Sequence, residues 1–126
     1  MQEKYLYEYA VIRVLPKVER DEFINVGVIL FSKRPKYIRM KYRLDINKLQ
    51  LFHTELDWDL LSQTLRSFES ICNGEDNNSS ISKLEVDERF RWLTAERSTC
   101  LQTSVSQNGF SDNLDETLEQ LFKELV

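Results

Sequence analysis

Acidic side chains gather in residues 18–27, directly before a strongly apolar run. Carboxylate oxygens are the ligands that hard divalent cations prefer, so Glu19, Asp21 and Glu22 could bind such a cation. The same residues could instead form a solvated turn, whose backbone the side chain of Asn25 could hydrogen-bond. The arginines available to pair with this turn are Arg13 and Arg20.

A second charged segment, residues 88–99, combines arginines with hydroxyl side chains. Arginine offers a planar fork of donors that fits a phosphate or a carboxylate, so this segment could bind an anion or a partner. Alternatively, its arginines could form internal salt bridges with Glu19 or Glu22. We predict that the two segments meet in one cluster that contains Arg13, Glu19, Glu22, Asn25, Arg89 and Arg97.

The standard catalytic and metal-binding signatures are absent from the sequence. It has no phosphate-binding glycine loop, no nucleophile elbow and no paired-histidine zinc motif. The single histidine, His53, is expected at a helix C-terminus, where the helix dipole favours it. Two cysteines, Cys72 and Cys100, cannot complete a zinc site without Asp or Glu, and we expect them to be buried free thiols. We therefore predict no metal and no cofactor.

The net charge of −4 hides an asymmetry between the two halves of the chain. Residues 1–50 carry eleven Lys or Arg against six Asp or Glu, a net +5, whereas residues 51–126 carry six against fifteen, a net −9. The basic excess lies on the expected third strand, where such charges also discourage edge-to-edge aggregation. We call the following four residues the basic stripe: Lys36, Arg39, Lys41 and Arg43.

Nucleic-acid binding is one function that this stripe could serve, since Tyr37 and Tyr42 are available to stack on bases. An isoelectric point near 5.1 argues against it. Membrane insertion is not expected either, because no apolar run approaches the ~20 residues that a membrane helix needs. The first ten residues hold acid and tyrosine where a signal peptide needs an apolar core, so we expect a cytoplasmic protein.

Length and apolar periodicity predict a single domain over residues 1–126. Alternation predicts strands over 5–15 and 37–44, and the run at 24–31 is apolar on both faces, as in a central strand covered on both sides. Gly27 within that run indicates a bulge or the close approach of another backbone. A weaker fourth strand is expected over residues 98–105 and a turn at Asn108–Gly109.

Four helices follow from capping residues and three-to-four-residue periodicity. Asp45 and Asp57 are the expected starts of the first two, and Gly74 is the expected end of the second. The polar stretch at 73–80 predicts a mobile loop. The predicted class is α+β: an antiparallel meander of three strands plus a weaker fourth strand, packed by three to four helices. The remaining two helices are expected around Val86, Phe90 and Leu93 and along the apolar stripe of Leu114, Leu118, Leu121, Phe122 and Leu125.

Three long segments resemble one bacterial family. They are YEYAVIRVLPKVERDEFINVGVILF at 7–31, DERFRWLTAERSTCLQTS at 87–104 and DNLDETLEQLFKELV at 112–126. The chain is similar, over nearly its whole length, to the domain-of-unknown-function family three-zero-three-seven. The resemblance implies a small cytoplasmic protein, often encoded beside a HipA-like kinase of the toxin-type serine/threonine class. The residues that match the motifs are Arg13, Glu19, Arg20, Glu22, Asn25, Gly27, Arg89, Phe90, Arg97, Ser98 and Gln102.

These observations favour an interaction or regulatory module, associated with a HipA-like kinase, over an enzyme. Together with the motif residues Arg20, Ser98 and Gln102, the six-residue cluster becomes a candidate ligand or partner site of nine residues. Two alternatives stay open. One is a small metal-assisted enzyme that acts on a phosphate-containing substrate through Glu19 and Glu22 with the arginines, and the other is a nucleic-acid-binding module.

Overall fold

A computed structural model of the chain describes residues 3–16, 22–51, 56–75, 80–97 and 99–126. In this part of the chain, five antiparallel strands form one sheet with helices on both faces. The strands are β1 (Tyr5–Val14), β2 (Ile24–Ser32), β3 (Tyr37–Tyr42), β4 (Leu101–Thr103) and β5 (Gln107–Ser111). The helices are α1 (Ile46–Gln50), α2 (Trp58–Asn73), α3 (Val86–Leu93) and α4 (Leu114–Leu125), and a 3-10 helix (Ile81–Lys83) precedes α3. The α+β prediction is confirmed.

The three predicted strands form the expected meander, with β2 between β3 and β1. Both β4 and β5 pair with the other side of β1, β4 beside its end and β5 beside its beginning. The predicted fourth strand is therefore present but short. The turn predicted at Asn108–Gly109 is wrong, because both residues lie in β5, opposite Glu8 and Tyr7 of β1.

A β-bulge interrupts the pairing of β1 with β2, as the position of Gly27 within the apolar run predicted. Ile12 lies opposite Gly27 and the next residue, Arg13, lies opposite Asn25, so Val26 is the extra residue of β2. A β-carbon on Gly27 would also lie 2.8 Å from a carbonyl oxygen of β3. Both reasons for a glycine at this position, the bulge and the close approach, are therefore confirmed.

One face of the sheet is covered by α2 and α3, and we call it the α2/α3 face. On β1 it carries Ala10, Ile12 and Val14, all fully buried. The second helix begins after Asp57, whose carboxylate accepts a hydrogen bond from the backbone of Leu60 at 3.0 Å. Its other end, as predicted, is Gly74 in the left-handed conformation with φ 67°.

The third helix contributes the best-buried aromatic ring of this face. Phe90 is fully buried and stacks on Phe31 of β2 with 4.9 Å between ring centroids. Val86 and Leu93 lie three or four residues from Phe90 and are buried with it, as the periodicity predicted.

The opposite face of the sheet is covered by α4, and we call it the α4 face. Leu114 and Leu118 of α4 are buried against Val28 and Leu30 of β2, so the central strand is covered on both sides, as predicted. The side chain of Asn113 begins the helix by accepting a hydrogen bond from the backbone of Glu116 at 3.1 Å. The tyrosines that complete this face are Tyr5, Tyr7 and Tyr9 of β1 and Tyr37 of β3.

Several predictions concern residues outside the described part of the chain. His53 is one, and the predicted mobile loop at 73–80 includes residues 76–79, which are not described. Both cysteines are free as expected, but only Cys72 is buried, whereas Cys100 is half-buried. Of the helices that are described, none is both long enough and apolar enough to cross a membrane.

Candidate functional site

Three residues of the nine-residue candidate site form one row across the sheet. Arg13 of β1 lies opposite Asn25 of β2 on one side and opposite Gln102 of β4 on the other. The row lies on the α4 face, because the neighbours of Arg13 in β1 face α2 and α3 and because Asn25 donates to the carbonyl of Leu125 in α4 at 3.0 Å. The strand pairing itself therefore brings these three side chains together.

Aromatic cover and burial define the surroundings of this row. The guanidinium carbon of Arg13 lies 4.0 Å from the ring centroid of Phe23, a cation–π contact. The Nε atom of Arg13 and the Oδ1 atom of Asn25 are buried, and neither has a hydrogen-bond partner among the described residues. Gln102 donates to the carbonyl of Thr99 at 2.9 Å. The row thus keeps one buried donor and one buried acceptor.

Arg89 lies on the other side of the sheet and closes the end of α2. Its Nη1 atom donates to the carbonyls of Ile71 and Cys72 at 3.0 and 2.9 Å. The last carbonyls of a helix lack partners within the helix, and a guanidinium satisfies them while it also suits the negative end of the helix dipole. These contacts give Arg89 a structural role at a helix C-terminus.

Arg97 closes α3 in the same way. Its guanidinium donates to three backbone carbonyls, those of Trp92, Leu93 and Ala95, at 2.9, 2.9 and 3.0 Å. The same group lies 5.0 Å from the ring centroids of Phe68 and of Trp92. Partial burial lowers the pKa of Arg97. Both terminal nitrogens of the fork thus donate to the protein's own backbone.

The structure therefore divides the candidate site into two parts. Arg13, Asn25 and Gln102 share the α4 face, whereas Arg89 and Arg97 hold helix ends on the α2/α3 face. The physical reason is that the guanidinium groups of Arg89 and Arg97 satisfy carbonyls at helix ends. Glu22 is half-buried at the entrance to β2. The other three predicted members lie outside the described residues: Glu19, Arg20 and Ser98.

The basic stripe faces the acidic side of α4. Lys41 forms a salt bridge with Glu119, and the Nε atom of Arg39 lies 3.9 Å from a carboxylate oxygen of Asp115. The hydroxyl of Tyr37 donates to Asp115 at 2.8 Å, and burial, followed by this hydrogen bond, raises the pKa of Tyr37. Part of the opposition between the basic and acidic halves is thus internal.

The remaining residues of the stripe lie nearer its ends. The guanidinium carbon of Arg43 lies 5.7 Å from the ring centroid of Phe122 in α4. Lys36 is exposed in the turn before β3 and has the unusual φ of 53°. The stripe therefore presents fewer unpaired charges to a polyanion than its sequence suggests.

Among the described residues, no group of three or more His, Cys, Asp or Glu side chains could hold a metal ion. Burial raises the pKa of the Cys72 thiol to about 12, and burial also raises the pKa of Cys100. Both thiols are therefore protonated at neutral pH, which makes them poor nucleophiles.

A groove on the α2/α3 face is the feature that sequence reasoning missed. It encloses about 280 Å³ between the beginning of β1 and α3, and we call it the β1–α3 groove. Leu6 is 55% exposed there, and Phe31 lies beside it. Charged residues complete the lining: Glu8, Lys33, Asp87, Glu88 and Arg91.

The length of the elements explains why this groove is open. Ten strand residues of β1 extend ~33 Å, whereas the eight residues of α3 extend only ~12 Å. A helix of this length cannot cover the whole strand, and Leu6 near the beginning of β1 is exposed, whereas Ala10 and Ile12 are fully buried. The alternation of side chains along β1 places Leu6 on the same side as the buried residues Ala10 and Ile12. In the sequence, only the short length predicted for α3 indicates that Leu6 is exposed.

An ion pair fixes one wall of the groove. Each terminal nitrogen of Arg91 donates to one carboxylate oxygen of Glu8, Nη1 to Oε1 at 3.1 Å and Nη2 to Oε2 at 2.8 Å. This fork-to-carboxylate geometry restrains both side chains. Ser106, which precedes β5, donates to the same carboxylate at 3.3 Å.

Comparison with known proteins gives one match. The model of a family described as "Protein of unknown function (DUF3037)" matches residues 9–126, nearly the whole chain. No curated protein and no solved structure matches the chain.

Proposed function

The chain belongs to the DUF3037 family, and we propose that it is an interaction module that binds and regulates a HipA-like kinase through the β1–α3 groove. The observation that carries this proposal is the exposure of Leu6 in a groove whose lining is mostly charged. In protein interfaces, a few apolar anchors at the centre supply most of the affinity, and a polar rim excludes water from them.

The dimensions of the groove favour a protein partner. A volume of about 280 Å³ lies just below the ~300–1,000 Å³ of small-molecule pockets. Leu6 is the exposed apolar residue of its lining, and it suits contact with one protruding apolar side chain of a partner. The bidentate pair of Arg91 with Glu8 holds the wall in place, so less side-chain freedom is lost on binding.

The charges at the rim support specificity. Lys33 lies 3.7 Å from Asp87, and the bidentate Arg91–Glu8 pair lies in the same groove, so charges of both signs surround the apolar centre. Such a pattern selects a partner with complementary charges and rejects others. The choice of a HipA-like kinase rests on the family resemblance, which implies that such a kinase is often encoded beside members.

The test is to mix the purified chain with the neighbouring HipA-like kinase and to measure the dissociation constant by calorimetry. We expect Leu6→Ala to weaken binding about tenfold, since truncating a central anchor costs more than 1 kcal/mol and 1.4 kcal/mol corresponds to a factor of ten. Kinase activity, measured with and without the chain, reports the regulatory part of the proposal.

Leu60→Ala is the matched control. Leu60 lies in the first turn of α2 and is 56% exposed, against 55% for Leu6, so the two substitutions remove the same side chain at the same exposure. Leu60→Ala should bind the kinase as the unmodified chain does. The groove is excluded as the binding site if both variants bind equally well, and the whole proposal fails if the unmodified chain and the kinase show no heat of binding at micromolar concentrations.

A further inference from the structure

The edge of the sheet formed by β4 and β5 has an unusual composition. From Thr99 to Ser111, thirteen consecutive residues include no charged side chain. The chain is 30% charged, so a stretch of thirteen would hold about four charges at the average composition. This uncharged run coincides with the two strands that border β1 on one side.

The outer side of this edge is open among the described residues. Both strands pair only with β1, β4 opposite residues 12–14 and β5 opposite residues 5–9. Ser104 continues the line between them, because its backbone N–H donates to the carbonyl of Val11 at 2.8 Å. One nearly continuous edge therefore presents backbone donors and acceptors away from β1.

The opposite edge of the same sheet is protected in the usual way. It is formed by β3, whose Arg39 and Lys41 place charges along the strand, and Lys36 and Arg43 flank it. Charged side chains on an edge strand discourage pairing with another chain. The contrast between the two edges indicates that only the uncharged edge is suited to receive another strand.

Exposed apolar side chains lie along the uncharged edge. Val105 is 79% exposed and Phe110 is 69% exposed. Phe110 lies directly opposite Leu6 of β1, so the two side chains form one apolar pair on the α2/α3 face. An added strand would cover part of this surface as well as satisfy the backbone groups of β5.

We infer that β5 pairs antiparallel with β5 of a second copy of this chain and joins two sheets into one. In a two-fold symmetric dimer the same patch faces itself, so any charge on the strand would meet its own sign close by. The uncharged run meets this condition, whereas it offers no charge complementarity to a charged partner segment. This inference is independent of the proposed binding of a kinase.

Sedimentation equilibrium over protein concentrations from about 5 to about 500 µM tests the inference, because a dimer is favoured by concentration. We expect the unmodified chain to pass from the mass of one chain to the mass of two. Gln107→Lys, at the exposed beginning of β5, should raise the dissociation constant at least about tenfold, since an edge lysine opposes strand pairing.

Gln63→Lys provides the control, because it makes the same substitution at an exposed position of α2. It should dimerise as the unmodified chain does. Hydrogen exchange supplies a second measurement: the amides of residues 105–111 should exchange more slowly as the protein concentration rises, whereas those of α2 should not change.

Two results would overturn the inference: an unmodified chain that stays monomeric at about 500 µM, where even weak pairing is populated, or a dimer that Gln107→Lys does not weaken. A monomer that still binds the kinase refutes self-pairing and leaves the groove proposal intact. A monomer whose amides at 105–111 become protected only when the kinase is added shows that the edge receives a strand of the kinase instead.

Discussion

Replacing Gly27 with alanine tests the account of the bulge at the centre of the sheet. A β-carbon at this position would lie 2.8 Å from the carbonyl oxygen of Lys41 and 2.8 Å from the β-carbon of Tyr42, both on β3. A third atom, a methyl carbon of Ile12, would lie 3.2 Å away. Because two of these atoms belong to or adjoin the backbone, β2 and β3 must separate to admit the methyl group.

The expected loss of stability combines two opposing effects. Overpacking typically costs about 1–3 kcal/mol, and a contact with backbone belongs at the upper end of that range. Gly27 does not occupy the left-handed region, so alanine also stabilises by about 0.4–1 kcal/mol through the unfolded chain. The net loss is about 2 kcal/mol, which lowers the melting temperature by roughly 6–10 °C for a domain of this size.

Gly109→Ala is the control for this prediction. A β-carbon there would meet only the end of the Tyr7 ring, whose hydroxyl oxygen would lie 2.6 Å away, and a side-chain end can swing aside. We expect this variant to remain within about 1 kcal/mol of the unmodified protein in urea denaturation. If Gly109→Ala is destabilised as much as Gly27→Ala, or if Gly27→Ala is unaffected, the rigid approach of β3 is not what requires glycine.

Three further predictions concern groups on the α2/α3 face. Because burial raises the pKa of Cys72 to about 12, its thiol stays protonated at pH 8, and a thiol reagent should label at most Cys100 until denaturant exposes both. In the unfolded chain the Cys72 thiol has a pKa near 9, well below its pKa in the folded protein. The contribution of Cys72 to the free energy of unfolding should therefore decline as the pH rises from about 9 towards 12. Chemical denaturation at each pH would detect this decline. Arg97→Lys keeps the charge but removes the planar fork that contacts three carbonyls, so we expect a loss of about 1–3 kcal/mol in denaturation experiments, and a neutral result would show that the fork is dispensable.

The strongest periodic segments were predictable because their local and tertiary preferences agree. Asp57 and Gly74 mark the ends of α2 by their own chemistry, a carboxylate that accepts from the first turn and a backbone that adopts positive φ. The apolar run of β2 is covered on both faces, since each face meets a different set of helices. In these elements, tertiary packing reinforces what the local sequence favours.

The segment at Asn108–Gly109 shows where such agreement fails. The pair is a strong local turn signal, yet β1 offers five residues that pair with this segment, and the backbone hydrogen bonds of that ladder outweigh the local preference. The ring of Tyr7 lies over Gly109 and fills the space that its missing side chain leaves. Neither the ladder nor the ring can be anticipated from the residues adjacent to the turn.

Only the part of the candidate site that strand pairing brings together was predictable from the sequence. A meander that places β1 beside β2 brings Arg13 close to Asn25 once the bulge fixes the register. The arginines of the second segment were not predictable, because a guanidinium is equally suited to an external anion and to the carbonyls at a helix end. Arg89 and Arg97 take the second option, and only the packing of α2 and α3 brings those carbonyls within reach.

The sequence by itself determined the class of fold, the family and the presence of opposite charges in the two halves. These depend on composition, on periodicity and on motifs that lie within short stretches of chain. Tertiary structure alone decided that α4 forms salt bridges with part of the basic stripe and that Leu6 stays exposed. It also decided that, among the described residues, an uncharged edge of the sheet stays open. The reason is that exposure and pairing depend on which surfaces meet across the fold, and on how far a helix of given length can cover a longer strand.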